Sequence, residues 1–206
     1  MKVGVLSLQG DVEEHEEMTY KAFERLKIKG EVIRVKNRVD ELDALIIPGG
    51  ESTTIGALSL KDDLLSDLRG RIIHGQPTLA TCAGLIFLAK KVYDRKIGAT
   101  NQPTLGVLDV MVERNAFGRQ KESFETYVHL PILGKEPFHA VFIRAPLIRE
   151  VGENVSELAS LNGMAIAIRQ QNVIATSFHP ELTEDARIHE LLLKMALKGH
   201  RMKPYR

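Results

Sequence analysis

Three short segments carry side chains that could do chemistry together: Pro48-Gly49-Gly50-Glu51-Ser52, Thr81-Cys82-Ala83-Gly84 and Ser177-Phe178-His179-Pro180-Glu181. Each follows a short apolar run of the kind that forms a buried strand. Cys82, the one cysteine of the chain, stands where such a run turns at once into helical spacing. A sharp strand-to-helix turn there would lift the thiol clear of the sheet, as in a nucleophile elbow. On its own a single cysteine is more often a small buried hydrophobe. His179 and Glu181 change the weighing. Pro180 restrains the backbone on both sides. A carboxylate two residues from an imidazole can then bond one ring nitrogen and leave the other aimed at a thiol. Nucleophile, base and orienter are the parts of covalent acyl transfer. Gly49 and Gly50 let backbone N–H groups approach a ligand. One of them, with the Ala83 N–H, could hold an oxyanion. The plainer reading of the same glycines is a tight turn into a helix capped by Ser52, and both can hold.

Other chemistries find less support. No Gly-x-x-x-x-Gly-Lys-Ser/Thr loop is present, and no Gly-x-Gly-x-x-Gly follows the first apolar run. The seven His and one Cys show no metal-ligand spacing. Neither a metal nor a cofactor is expected.

The elements that must position these residues follow from periodicity. Strands are expected at 3–8, 31–35, 44–47 and 78–81, alternating with helices at 12–26, 52–60, 62–74 and 84–91. Asp11 is the expected N-cap of the first helix and Gly30 its stop. Strands then dominate, at 106–113, 123–130, 138–143, 158–161, 164–169 and 173–176, with a hairpin joining the last two. A final helix over 184–197 aligns Ile188, Leu191, Leu192, Met195 and Ala196 on one face. The pattern predicts an α/β domain with a mostly parallel central sheet, helices on both faces, and extra antiparallel strands in the second half. Ligands in such sheets bind beyond the carboxyl ends of the strands, so the three segments should converge at one edge.

Length and composition agree. The chain has 206 residues, 44% hydrophobic and 27% charged, which suits one domain over 1–198 with a basic tail at 199–206. A net charge of +1 gives no global attraction for nucleic acid or an anionic membrane. No apolar run approaches the ~20 residues of a membrane-spanning helix. A single cysteine leaves no internal disulfide and fits a reducing, cytoplasmic setting.

In this order the three segments resemble class I, triad-type glutamine amidotransferase domains. Leu8-Gln9-Gly10-Asp11 with His15, Arg114-Asn115-Ala116-Phe117-Gly118-Arg119-Gln120, and Phe142-Ile143-Arg144-Ala145-Pro146 are similar, more narrowly, to the glutaminase subunits of pyridoxal 5′-phosphate synthases. Ala80 departs from the class pattern, in which many members carry Gly two residues before the nucleophile. The resemblance covers about residues 3–197. It implies a single-domain, three-layer α/β/α fold of flavodoxin-like type. It implies hydrolysis of L-glutamine to glutamate and ammonia by Cys82, His179 and Glu181, with Gly49, Gly50, Glu51, Ala83, Arg114, Ile143 and Arg144 around the substrate. The ammonia would pass to a separate synthase subunit in a hetero-oligomeric complex, whose product is pyridoxal 5′-phosphate. Activity would rise on docking, with a Gly-Gly peptide as a low-cost switch and Gln9 near the docking edge. The alternatives are a glutaminase serving another synthase, and a non-catalytic binding module on the same fold.

Overall fold

Alternation within the shortest strands decides where the core lies. In β3 (Ala44–Ile47) every side chain is buried. Leu45 and Ile47 join one apolar cluster, Ala44 and Ile46 the other, because successive residues of a strand point to opposite faces. A strand covered on both sides belongs in the middle of a layered α/β structure. The computed structural model describes residues 1–37, 41–115 and 123–201. Residues 116–120 of the motif beginning at Arg114, and 202–206 of the expected tail, lie outside them.

A seven-stranded sheet organises the molecule. Its parallel part runs in the order β2 (Glu31–Val35), β1 (Lys2–Leu6), β3, β4 (Thr78–Thr81) and β13 (Val173–Thr176). Beyond β13 the strands β12 (Met164–Gln170) and β11 (Ser156–Leu161) continue antiparallel. One face is covered by α1 (Val12–Leu26), α5 (Arg187–Arg201) and the antiparallel pair β8 (Ser123–Val128) and β9 (Phe138–Ile143). The other carries α2 (Ser52–Ser59), α3 (Leu64–Ile73), α4 (Ala83–Leu88) and a small mixed sheet. That sheet has the order β10 (Leu147–Val151), β7 (Leu108–Arg114), β5 (Ala89–Asp94) and β6 (Gly98–Ala99). The expected three-layer α/β/α arrangement, mostly parallel with antiparallel additions, is observed.

The differences have local causes. The helix expected over 84–91 stops at Leu88, where Ala89 turns extended at φ −64° and ψ 145°. Residues 89–94 form β5, parallel to β7. Leu85, Leu88, Ala89 and Val92 recur at helical spacing, so periodicity alone cannot see the break. The 62–74 helix begins later, at Leu64, because Asp62 and Asp63 take left-handed φ of 54° and 57°. Gly30 does not stop α1; Lys27 does, at φ 54°. Ser52 is not the cap of α2, since Glu51 fills that place and accepts from the Thr54 N–H. The last helix starts at Arg187, whose N–H is taken by the Asp185 carboxylate. No described helix is long and apolar enough to cross a membrane.

Candidate active site

The carboxyl ends of β1, β3, β4 and β13 meet at one edge and enclose a cavity of about 350 Å³. Gln9, Gly50, Cys82, Ala83, Arg114, Ile143, Arg144 and His179 are among its lining residues. All three sequence segments contribute to it.

Cys82 occupies the junction between β4 and α4 at φ 49° and ψ −104°, a conformation L-residues avoid. The turn is held by the Cys82 N–H donating to the Thr176 carbonyl at 2.8 Å. Its Sγ lies 3.8 Å from the Ile143 carbonyl oxygen. The Ala83 N–H that follows is the first of a helix and has no carbonyl one turn back to bond. Gly84 lets this helix press on β3, since a Cβ there would lie 2.2 Å from the Ile47 carbonyl oxygen. Ala80 fits without strain as a buried methyl in β4, between Ile47 and Ala175.

His179 follows β13 and is anchored by its N–H to the Val141 carbonyl of β9 at 2.8 Å. Its Nδ1 donates to Glu181 Oε1 at 2.7 Å, and Asp11 Oδ2 lies 3.2 Å from the same nitrogen. With Nδ1 facing two carboxylates, that nitrogen keeps its proton, which leaves Nε2 as the ring nitrogen open to exchange. Burial opposes the charged ring, but hydrogen bonds to Asp11, Cys82 and Glu181 outweigh it and push the imidazole up to about 12. That direction favours the imidazolium at rest. Glu181 is fully buried, and burial raises its carboxyl against the pull of His179. The Asp11 carboxyl is lowered, chiefly by its bond with His179. Asp11 was expected as a helix cap, yet it makes no side-chain cap bond; its carboxylate belongs to the site. Asp11, His179 and Glu181 bring three ligand-type atoms within 4.8 Å of one another, a grouping that imidazole–carboxylate hydrogen bonding accounts for.

The remaining expected residues divide. Gly50 has φ 147°, and a Cβ on it would lie 2.4 Å from Gln9 Oε1, which accepts from the Glu51 N–H at 2.5 Å. Glu51 caps α2. Burial works to raise its carboxyl, but donors from Thr53 and Thr54 bring it down to about 2. Arg114, at the end of β7, is already engaged. It reaches Asp94 at 3.0 Å, Gln102 at 2.8 Å and Glu51 at 3.5 Å. Arg144 differs: it is exposed at the cavity mouth, has φ 45°, and has no ion pair or side-chain hydrogen bond among the described residues. Ile143 is partly exposed beside it. Sequence reasoning missed Asp11 as a neighbour of the imidazole, and Asp94 and Gln102 as the residues that fix Arg114.

Such a site can form a covalent acyl intermediate at a cysteine sulfur, with an imidazole as proton donor and the Arg144 guanidinium for an anionic end of the substrate. Comparison with known proteins gives the family. Residues 5–198 match the SNO glutamine amidotransferase family. The chain is 47% identical over 201 residues to the pyridoxal 5′-phosphate synthase subunit PdxT of Saccharolobus solfataricus, covering 97% of this chain and all of the relative. It is 50% identical over 194 residues to the protein of the same name from Herpetosiphon aurantiacus, 94% of this chain and 99% of that one. A crystal structure of a glutamine amidotransferase superposes with a TM-score of 0.80 at 48% identity, over 94% of this chain and 98% of the other.

Proposed function

The chain belongs to the SNO glutamine amidotransferase family, and from that membership we propose how its residues carry out the reaction. It is a glutaminase subunit of pyridoxal 5′-phosphate synthase, supplying ammonia for vitamin B6 biosynthesis. The Cys82 thiolate attacks the carboxamide carbon of L-glutamine, and the π electrons move onto oxygen. The Ala83 N–H and a backbone N–H of Gly49 or Gly50 hold that oxyanion. Collapse breaks the C–N bond as His179 gives its Nε2 proton to the departing nitrogen. Ammonia leaves, and a glutamyl thioester stays on Cys82. The neutral ring then takes a proton from water as it attacks, the C–S bond breaks, and glutamate departs. Glu181 holds the ring throughout. Arg144 takes the substrate's α-carboxylate, while Arg114 and Glu51 shape the wall. Ile143 flanks the thiol through its carbonyl.

The single observation behind this reading is the shared placement of Cys82, His179 and Glu181: a thiol on a strained turn lines the same cavity as an imidazole that a buried carboxylate holds at 2.7 Å.

Ammonia released into water would be lost to the synthase, so turnover should wait for docking. The Gly49 carbonyl accepts from the Asp11 N–H at 3.4 Å. Reversing the Gly49–Gly50 peptide, which two glycines allow, would break that bond and turn the Gly49 carbonyl and the Gly50 N–H to opposite sides. Synthase contact with Gln9 and the loop after β1 would drive the exchange.

Glutamate release from L-glutamine, measured with and without the synthase subunit, tests the whole scheme. Release that rises at least tenfold with the synthase and vanishes in Cys82→Ala is the expected result. Equal release without the synthase would remove the gate. Turnover by Cys82→Ala would remove the mechanism.

A further inference from the structure

Behind the site lies a buried chain of polar groups that the reaction above does not use. His15 on α1 is fully buried. Its Nδ1 is 3.0 Å from Nε2 of His189 on α5. Its Nε2 is 3.1 Å from Thr81 Oγ1, one residue before the nucleophile, and 3.4 Å from Glu181 Oε2. That carboxylate oxygen is buried and makes no hydrogen bond among the described residues; nor does His189 Nδ1.

These contacts select one arrangement of protons. Burial keeps both rings neutral, lowering His15 well below the usual range and His189 to about 3, so each ring carries one N–H. If His15 carried it on Nδ1, its Nε2 lone pair would face the Glu181 carboxylate. His189 would then have to accept at Nε2 and leave an N–H at Nδ1 buried without an acceptor. A buried orphan donor is the rarer and costlier defect. The opposite assignment has neither fault. His189 Nε2–H donates to His15 Nδ1, His15 Nε2–H points between Thr81 and Glu181, and only a lone pair on His189 Nδ1 goes unmet.

Glu181 needs such a donor most at one stage. While His179 is an imidazolium, the buried carboxylate has a cation beside it. After His179 protonates the departing amide nitrogen, the carboxylate faces a neutral ring, with Asp11 as a second negative charge on the same nitrogen. An uncompensated buried charge is strongly disfavoured.

Resting on the glutaminase reading, we propose that His15, held in one tautomer by His189, is a positioning residue for Glu181: its Nε2–H turns from Thr81 Oγ1 to Glu181 Oε2 when His179 becomes neutral.

The test compares His15→Gln with His15→Asn in the complex with the synthase subunit. A Gln amide reaches the place of Nε2 and can donate to Glu181. An Asn amide reaches only the place of Nδ1 and can bond His189. The expected result is kcat within about threefold of wild type for His15→Gln and at least tenfold lower for His15→Asn, with KM for glutamine within twofold in both. Iodoacetamide alkylation of Cys82 in the isolated chain is the second readout. In His15→Asn the pH of half-maximal alkylation should fall, since losing a donor that Glu181 gains only beside a neutral ring favours the imidazolium and the thiolate next to it, and in His15→Gln it should not move. Equal kcat and equal alkylation profiles in the two variants would overturn the proposal. A variant that fails to fold is replaced by His189→Gln against His189→Leu, where only Gln can donate to His15 and only Leu should lose kcat. If wild type itself releases no glutamate with the synthase, the glutaminase reading fails, whereas the alkylation profiles still decide whether His15 positions Glu181.

Discussion

A methyl group on Gly49 would lie 2.5 Å from His179 Cε1 and 2.7 Å from Asp11 Oδ2. Close approach of backbone to imidazole, rather than a special φ, is what requires glycine here. Gly49→Ala must therefore push the ring off the thiol. Misplacement of about 1 Å can cost ~100-fold in rate, so glutamate release by the complex should fall by about that factor while the variant still binds the synthase. Unchanged release would mean that the ring has room the structure denies. Arg144 supports a different kind of prediction. Its guanidinium is unengaged among the described residues, so Arg144→Ala loses a substrate contact and little structure. A charge-assisted pair is worth ~1.5–3 kcal/mol, so KM for glutamine should rise roughly 10- to 100-fold with kcat nearly constant. A fall in kcat at constant KM would assign Arg144 another task. The residues legible in the sequence were those whose chemistry is local: Cys82 at a turn, and His179 with Glu181 two residues on. Asp11 was not, because an acidic residue before a helix looks like a cap, and only the tertiary fold brings it to His179.

Elements were read well where they are covered on both faces and poorly where two periods coincide. β1, β3, β4 and β13 are short apolar runs ended by turn residues, and all four deliver site residues at their carboxyl ends. The α4–β5 boundary was invisible because its apolar spacing suits a helix and a strand equally. β10 and the two-residue β6 were missed because edge strands carry little pattern. Two helix glycines separate propensity from packing. Gly70 in α3 has nothing within 4 Å of where a Cβ would go. Gly70→Ala should stabilise the protein by ~0.5–1 kcal/mol through helix propensity. Gly84 in α4 would drive a Cβ into the β3 backbone, at 2.2 Å from the Ile47 carbonyl oxygen. Overpacking costs ~1–3 kcal/mol, so Gly84→Ala should be destabilising despite the same propensity gain, and should disturb the Cys82 elbow at its N-terminus. Urea unfolding of both variants checks this. A stable, fully active Gly84→Ala protein would contradict the packing of α4 on β3.

At the scale of the whole molecule, α1 and α5 share one face of the sheet, and between them they bury His15 and His189. Histidines inside an otherwise apolar helical stripe were a signal the sequence did offer. Their burial makes stability depend on pH in a definite direction. An unfolded histidine takes up a proton near pH ~6.5, whereas folded His189, lowered to about 3 by burial, does not. Between those values the unfolded state binds more protons, so stability falls as pH falls. One such group contributes about 1.4 kcal/mol per pH unit. His179 has the opposite sign: raised to about 12, its contribution is whole below pH ~6.5 and is lost as pH rises towards 12. Subtracting a variant isolates one group from the rest. At pH 7.5 His189→Leu should be less stable than wild type, having lost the bond to His15. Below pH ~6.5 the deficit should shrink by about 1.4 kcal/mol per unit, or roughly 2 kcal/mol by pH 5. Urea unfolding of both proteins at pH 7.5, 6 and 5 measures it. A gap that stays constant across that range would mean that His189 takes up its proton inside the folded protein, and the neutral relay behind Glu181 would lose its basis.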